Sequence, residues 1–178
     1  AGLAAMFSSE TLNVTGASVT GAGNLTVAAA SSLGLSAGTL GGSGTISSGG
    51  AFNWSGAGTS TVGGSGPFNV NGTMAVTGAG DKVISARTLT LNGAGSWDGT
   101  GQILLNSSGV LSVAGTGVLT VTGNGTINCT ATPCGSITNA GTIQKTAGVG
   151  TLLQNRSDIP LTNTGVVNVT SGAIQFNG

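Results

Sequence analysis

Two segments in the C-terminal part of the chain follow one template, and this repetition restricts the possible folds more than any other feature. The segment Asn139-Ala140-Gly141-Thr142-Ile143 is matched 24 residues later by Asn163-Thr164-Gly165-Val166-Val167. In both, an Asn, a small residue and a Gly precede a short strand of alternating character and a Thr-small-Gly group. A fixed offset of this size is typical of stacked repeats, in which each unit buries its apolar face against its neighbours.

The rest of the chain follows the same design with less regular spacing. Most apolar runs are short and alternate with polar residues, which is the period-2 pattern of a strand. Gly, Asn, Ser or Thr stands at the breaks, as tight corners require. Strands of a β-sandwich are longer, about five or six residues, whereas coils of two or three short strands stack into a solenoid. We therefore predict an all-β fold, a parallel β-solenoid of about seven to nine short coils.

Two tryptophans support this coil length. Trp54 and Trp97 each lie in a polar group that ends in Gly, and they are 43 residues apart, close to two coils of about 22 residues. If exposed, they would be platforms for sugar rings, but their place in alternating strands favours packing in the core. Asn residues before the glycine corners suit the left-handed backbone conformation, and stacking of the coils would align their amides in ladders.

Charge is scarce in this chain, and this limits its partners. Charged residues are 4% of the sequence, the net charge is zero and there is no His. A neutral chain lacks the attraction that nucleic acid or an anionic membrane surface would exploit. No apolar run reaches the length of about 18 residues that a membrane-spanning helix needs. We therefore expect no nucleic acid partner and no membrane span.

The few ionisable residues do not suggest an enzyme. Polysaccharide-cleaving sites need clustered carboxylates, but the four acids are scattered: Glu10, Asp81, Asp98 and Asp158. Asp81 and Asp98 alone are close enough in sequence to approach each other, and Asp98 is better suited to a local Asx-type turn. We predict no catalytic residue, no metal site and no cofactor. We expect the basic residues to lie at the surface and to pair with Asp81 or Asp158. These basic residues are Lys82, Arg87, Lys145 and Arg156.

The two cysteines lie close together. Cys129 and Cys134 flank Pro133 in a short loop, which suits a small-loop disulfide, and two cysteines are too few for a structural zinc site. The alternative is two free buried thiols. A disulfide would imply an oxidising compartment outside the cytoplasm.

The segments that contain Trp97, Asn139 and Asn163 resemble repeats of large secreted bacterial β-solenoid proteins, similar to filamentous-haemagglutinin-type adhesins and autotransporter passenger domains. The resemblance covers roughly Leu33 to Phe176 and carries no catalytic signature. It implies secretion and either surface attachment or matrix building. Two parts of the chain follow from it: residues 1–32, an N-terminal segment with the first strands and a possible contact between subunits, and residues 33–178, one continuous solenoid.

The favoured hypothesis is a non-enzymatic structural protein, secreted and located at the cell surface. It would be a subunit of a self-assembling filament or matrix, or a stalk segment of an adhesin. Open solenoid ends present unpaired strand edges, so the predicted partners are copies of the same chain, head to tail, with surface polysaccharide as a further candidate. The residues expected to make the self-contact are Leu3, Met6, Phe7, Leu12, Val14, Ile174 and Phe176. The alternative is an ice- or carbohydrate-binding solenoid with a flat ligand face formed by Thr88, Thr90, Thr120 and Thr122.

Overall fold

The structure, a computed structural model, describes residues 5–177. This part of the chain forms 22 strands and no helix. Strands pair in parallel with strands about one coil away in sequence, so the chain winds through eight coils. The prediction of an all-β parallel β-solenoid with seven to nine coils is therefore confirmed.

Each coil passes through three faces separated by corners. Face 1 is a sheet of eight strands, one from each coil. Its strands are β1 (Ala5–Phe7), β3 (Leu25–Val27), β5 (Ile46–Ser48), β8 (Phe68–Val70), β11 (Thr88–Leu91), β14 (Val110–Val113), β17 (Ser136–Asn139) and β20 (Leu161–Asn163).

Faces 2 and 3 belong to one sheet because two long strands continue across the corner between them. These are β2 (Thr11–Gly21) in coil 1 and β4 (Ser32–Gly42) in coil 2. In coils 3 to 8, face 2 contains β6 (Ala51–Trp54), β9 (Met74–Val76), β12 (Ala94–Trp97), β15 (Val118–Val121), β18 (Thr142–Lys145) and β21 (Val166–Val169). Face 3 contains β7 (Ser60–Gly63), β10 (Lys82–Ser85), β13 (Ile103–Asn106), β16 (Thr126–Asn128), β19 (Thr151–Gln154) and β22 (Ala173–Phe176).

The register between coils matches the repeats in the sequence. Asn139 pairs directly with Asn163, 24 residues later. Trp54 pairs with Val76, and Val76 pairs with Trp97, so the two tryptophans share a column two coils apart. With a spacing of about 4.8 Å between neighbouring strands, the eight coils give a rod about 35 Å long.

Side chains that point inward form columns along the rod. One column of face 2 consists of Val14, Leu35, Trp54, Val76, Trp97, Val121, Lys145 and Val169. Apolar members of such columns pack on the members above and below, so burial extends from coil to coil. Lys145 is the exception in this column, and its surroundings are described below.

The asparagines before glycine corners form the expected amide ladders. Asn92 Nδ2 donates to Asn71 Oδ1 at 2.9 Å, and Asn139 Nδ2 donates to Asn163 Oδ1 at 2.7 Å. The expected left-handed conformation is not found at these residues. Within residues 5–177, the residues other than Gly that have a positive φ are Ala86, Ser107 and Ser108.

The first strands are part of the same stack. β1 pairs with β3, and β2 pairs with β4, all in parallel. β2 contains an irregular register between Val14 and Ser18, where Gly16 has a φ of 130°. That conformation is open to glycine, and it lets the strand cross the corner. The described part of residues 1–32 thus forms coil 1 and the start of coil 2.

Candidate functional site

A buried lysine occupies the corner between faces 2 and 3. Lys82 is fully buried, and its Nζ donates to the carbonyl oxygen of Gly80 at 2.6 Å, with two more corner carbonyls at 3.4 and 3.5 Å. Burial lowers the pKa of Lys82, and the nearby carboxylates of Asp98 and Asp81 act in the opposite direction. The ammonium group is held by backbone oxygens and lies away from solvent.

Lys145 repeats this arrangement three coils further along the rod. Its side chain is fully buried. Its Nζ donates to the carbonyls of Gly123 at 2.7 Å, Ala147 at 2.6 Å and Gly148 at 3.2 Å. The expectation that Lys82 and Lys145 pair with acids at the surface is therefore wrong. The glycine corners direct carbonyls inward, and a long flexible side chain reaches them from within the column.

Arg87 fills the corner between faces 3 and 1 and is also buried, with 2% of its surface exposed. Its Nη2 donates to the carbonyl of Gly42 at 2.6 Å and lies 3.4 Å from that of Gly44. Its Nε and Nη1 have no hydrogen-bond partner among the described residues. Burial lowers the pKa of Arg87. The surface role expected for Arg87 is wrong for the same reason as for the lysines.

Asp158 and Asp98 each bind a residue two positions away in the sequence. Arg156 and Asp158 form a surface pair, as expected, with an Nη2–Oδ2 distance of 2.6 Å, and this hydrogen bond lowers the pKa of Asp158. Asp98 Oδ1 accepts from the backbone N–H of Thr100 at 3.0 Å, which is the predicted Asx-type turn. Within residues 5–177, no group of three or more His, Cys, Asp and Glu side chains is placed to hold a metal ion.

An open depression of about 400 Å³ lies over the corner between faces 1 and 2 in the first four coils. Its lining contains one ionisable side chain, Glu10. The backbone N–H groups of Ser9 and Ser8 donate to the Glu10 carboxylate at 3.0 and 3.1 Å and lower its pKa. The Glu10 carboxylate is thus already hydrogen-bonded to backbone N–H groups of the corner in which it lies.

Both tryptophans lie in the core, each with 1% of its surface exposed. Trp54 Nε1 donates to Ser60 Oγ at 2.8 Å. The six-membered ring of Trp97 lies against Gly125 of the next coil, where a Cβ would be 2.4 Å from Cη2. The indoles therefore pack in the core, as their alternating positions predicted, and they fill the corner between faces 2 and 3. Neither presents a platform to a sugar.

Cys129 and Cys134 are joined by a disulfide, with their Cα atoms 5.6 Å apart. The bond closes an exposed loop between faces 3 and 1. Asn106 of the preceding coil holds this loop, because its Oδ1 accepts from the N–H of Thr130 at 2.9 Å and of Ala131 at 3.2 Å. The loop is thereby attached to the solenoid as well as closed.

The four threonines proposed as one ligand face lie on two different faces. Thr88 and Thr90 belong to β11 of face 1, whereas Thr120 belongs to β15 of face 2 and Thr122 follows it. The corner between these faces separates the two pairs. The prediction that these four residues form a single flat face is therefore wrong, because the chain turns between the two pairs.

Face 1 instead presents an outward column of small polar side chains. After Met6, its members in successive coils are Thr26, Ser47, Asn69, Thr90, Ser112, Thr138 and Thr162. The positions two residues before this column are less uniform. Pro67, Val110 and Pro160 interrupt the Thr and Ser residues there.

Coil 1 brings together most of the residues predicted for self-contact near the N-terminus. Phe7 and Leu12 are partly buried and pack against the core, and Val14 is buried. Met6 instead points outward from face 1 and is 77% exposed. Leu3 lies outside the described residues.

Coil 8 has an exposed apolar edge that extends beyond the predicted residues. Ile174 and Phe176 are half-buried. Val167 and Val169 continue inward columns, yet 36% and 42% of their surfaces are exposed, because coil 8 is the last coil within residues 5–177. The sequence-based prediction omitted both valines. The repeat template could have indicated them, since it aligns Val167 and Val169 with the buried residues Ile143 and Lys145.

Comparison with known proteins gives no assignment. No family model matches the chain, and no curated protein and no solved structure matches it. Within residues 5–177, no helix is long and apolar enough to cross a membrane.

Proposed function

We propose that this chain is a non-enzymatic extracellular structural protein, either a subunit of a self-assembling filament or matrix or a stalk segment of an adhesin. The observation that carries this proposal is the continuity of the inward columns, which extend without interruption from coil 1 to coil 8. Their apolar members are uncovered at coil 8, where Val167 and Val169 are exposed. An uncovered apolar edge with unpaired strand groups favours association.

The ionisable and aromatic side chains support a structural role. Lys82, Arg87 and Lys145 are used as corner supports that bind backbone carbonyls. Trp54 and Trp97 are used as core packing. The side chains that often carry chemistry in other proteins are therefore occupied in holding coils together.

The disulfide supports the extracellular part of the proposal. Disulfides persist in oxidising compartments and are rare in the cytoplasm, and the Cys129–Cys134 bond closes a loop at the surface. The resemblance of the repeat segments to secreted bacterial β-solenoid proteins points in the same direction.

The test of the filament form compares two substitutions on one strand of coil 8. Val167→Asp places a charge on the inward column at the exposed edge, whereas Asn168→Asp places the same charge on the outward side of β21. Sedimentation velocity and negative-stain electron microscopy over a range of concentrations should show rods that lengthen for the wild type and Asn168→Asp. Val167→Asp should remain short.

Equal assembly by both variants would contradict the role of the coil 8 edge. A wild type that stays monomeric at every concentration would leave the stalk form, in which coil 8 is covered within one polypeptide. Far-UV circular dichroism of each variant checks that it retains the β structure.

A second candidate, from a different class, is binding of a neutral polysaccharide on face 1. The column from Thr26 to Thr162 favours it, since it offers hydroxyl and amide groups at intervals of about 4.8 Å with no charge. Ice binding needs a more regular pair of rows than Pro67 and Val110 permit. Retention on an insoluble neutral polysaccharide, abolished by Thr90→Lys and unaffected by Thr120→Lys on face 2, would support the polysaccharide form.

A further inference from the structure

The hydrogen bonds between coils repeat in a way that defines what the edge of coil 8 lacks. The N–H of Phe52 in coil 3 donates to the carbonyl of Thr73 in coil 4 at 2.8 Å. Val167 occupies the same column as Phe52, five coils later. Its N–H is therefore directed away from coil 7, toward the position of the next coil.

Coil 1 offers the matching acceptor. Leu12 lies at the start of that same column, through Leu33 and Phe52. Thr11 precedes Leu12 just as Thr73 precedes Met74. The carbonyl of Thr11 is therefore directed away from coil 2, in the direction opposite to that of the Val167 N–H. A second copy placed one coil further along would bring these two groups together.

The side chains at the two edges are compatible. The inward columns that reach coil 8 at Val167 and Val169 begin in coil 1 at Leu12 and Val14, so the residues at both edges are apolar. On face 3, the large side chain of Phe176 continues a column that contains Gly38 and Ser60 at its other end. A large residue on coil 8 thus faces a column that begins with small residues.

Charge does not oppose this contact. Residues 161–177 contain no Asp, Glu, Lys or Arg, and residues 5–21 contain Glu10 alone. The Glu10 carboxylate is held at the corner by the N–H groups of Ser8 and Ser9. Stacking of the two edges would therefore bury apolar and backbone groups without burying an unpaired charge.

We propose that coil 8 of one copy stacks on coil 1 of the next copy in the parallel register of the internal coils. β20 then adds to β1, while β21 and β22 add to the first and second halves of β2. The partner is a second copy of this chain, and the contact is continuous with the coil-to-coil contacts within each copy. This inference rests on the filament form of the proposed function and specifies its interface.

Paired cysteine substitutions test the register. The outward central column of face 2 begins at Asn13 and reaches Asn168 in coil 8. In the proposed stack, Asn168 of one copy lies beside Asn13 of the next, with Cα atoms about 4.8 Å apart, which is within the range a disulfide spans. The double variant Asn13→Cys with Asn168→Cys should therefore give a ladder of covalent oligomers on oxidation.

Controls use the same two coils. Met6→Cys with Thr162→Cys places both thiols on face 1 and should also cross-link, since these residues begin and end its outward column. Asn13→Cys with Thr162→Cys places them on different faces and should not. Non-reducing gels and mass spectrometry of the linked peptides distinguish the new bonds from Cys129–Cys134.

The outcomes separate this inference from the proposed function. Rods that form without cross-linking of the matched pairs, or with equal cross-linking of the mismatched pair, would overturn the register and leave the filament in place. Covalent dimers from Asn168→Cys alone would show coil 8 meeting coil 8 and would also overturn it. A protein that never assembles would remove both the register and the filament form.

Discussion

Replacing Gly125 by Ala should destabilise the solenoid, because the indole of Trp97 already fills the space beside Gly125. A Cβ at this position would lie 2.4 Å from Cη2, 2.5 Å from Cζ2 and 2.9 Å from Cζ3 of the indole. Carbon atoms in favourable contact are about 3.5–4.0 Å apart, so the ring would have to move by about 1 Å. Trp97 is held in its column between Val76 and Val121. We expect a loss of about 1–3 kcal/mol in the free energy of unfolding, as is usual for overpacking.

Gly115→Ala is the matched control. Gly115 lies in an exposed corner, and no atom lies within 4 Å of the position that its Cβ would take. A Gly to Ala change at a compatible position restricts the unfolded chain and adds about 0.4–1 kcal/mol of stability. The two variants, which differ in the same single methyl group, should therefore change stability in opposite directions. Equilibrium unfolding in urea, followed by far-UV circular dichroism, measures both.

A double variant tests whether the indole is the cause. The three contacting atoms belong to the benzene half of the indole, and the smaller side chain of Trp97→Phe lacks this second ring. Gly125→Ala should therefore cost less in the Trp97→Phe background than in the wild type, with a coupling energy of about 0.5–3 kcal/mol. An equal cost in both backgrounds, or an equal effect of Gly115→Ala and Gly125→Ala, would refute this account of the corner.

Three further predictions concern the disulfide and the buried cations. Mass spectrometry of unreduced protein should find no free thiol, and Cys129→Ser with Cys134→Ser should lower the free energy of unfolding by about 2 kcal/mol; two free thiols would exclude the bond. Because burial lowers the pKa of Lys82 below the unfolded value of 10.5, the unfolded chain binds more protons between the two values. The free energy of unfolding of the wild type should therefore rise with pH in that window, relative to that of Lys82→Met. Urea unfolding from pH 7 to 10 measures both proteins, and the absence of such a difference would contradict this prediction. Arg87→Met should equal or exceed the wild type in stability, since it removes a buried charge that has no carboxylate partner while retaining volume, whereas Arg87→Ala should be less stable in the same assay.

The fold could be predicted because its coils repeat a local pattern. The offset between Asn139 and Asn163 and the spacing of Trp54 and Trp97 both equal register relations of the structure. Period-2 alternation also distinguished inward from outward residues within most short strands. The strands β2 and β4 were not predicted at their full length, since Gly16 and Gly38 are usual signs of a break. In this chain their positive φ angles let a strand bend across a corner and continue.

The candidate site was less accessible from the sequence because it depends on neighbours in other coils. A lysine in a polar, glycine-rich chain normally indicates a solvated surface, and nothing local to Lys82 shows that its corner is lined by carbonyls from two coils. Likewise, Thr90 and Thr120 belong to similar strands, and they lie on different faces because a corner separates faces 1 and 2 in every coil, at residues 92–93 in the coil of Thr90 and 114–117 in that of Thr120. Predicting the exposed edge at Val167 would have required knowing which coil lies at the edge of the stack.

The buried cations provide an argument about register that connects the fold with the proposed assembly. Apolar columns in a solenoid are nearly interchangeable from coil to coil, so packing alone resists a slip of one coil weakly. A slip would move Lys145 away from the carbonyl of Gly123 and Arg87 away from that of Gly42, so each buried cation would lose a hydrogen bond to another coil, at high cost. We infer that Lys82, Arg87 and Lys145 specify the internal register. Coils 1 and 8 contain no such residue, so an interface between copies would form by the same stacking but without this restraint. Assembly would then depend on the apolar edge and on backbone pairing, and it should be more easily reversed than the unfolding of any internal coil.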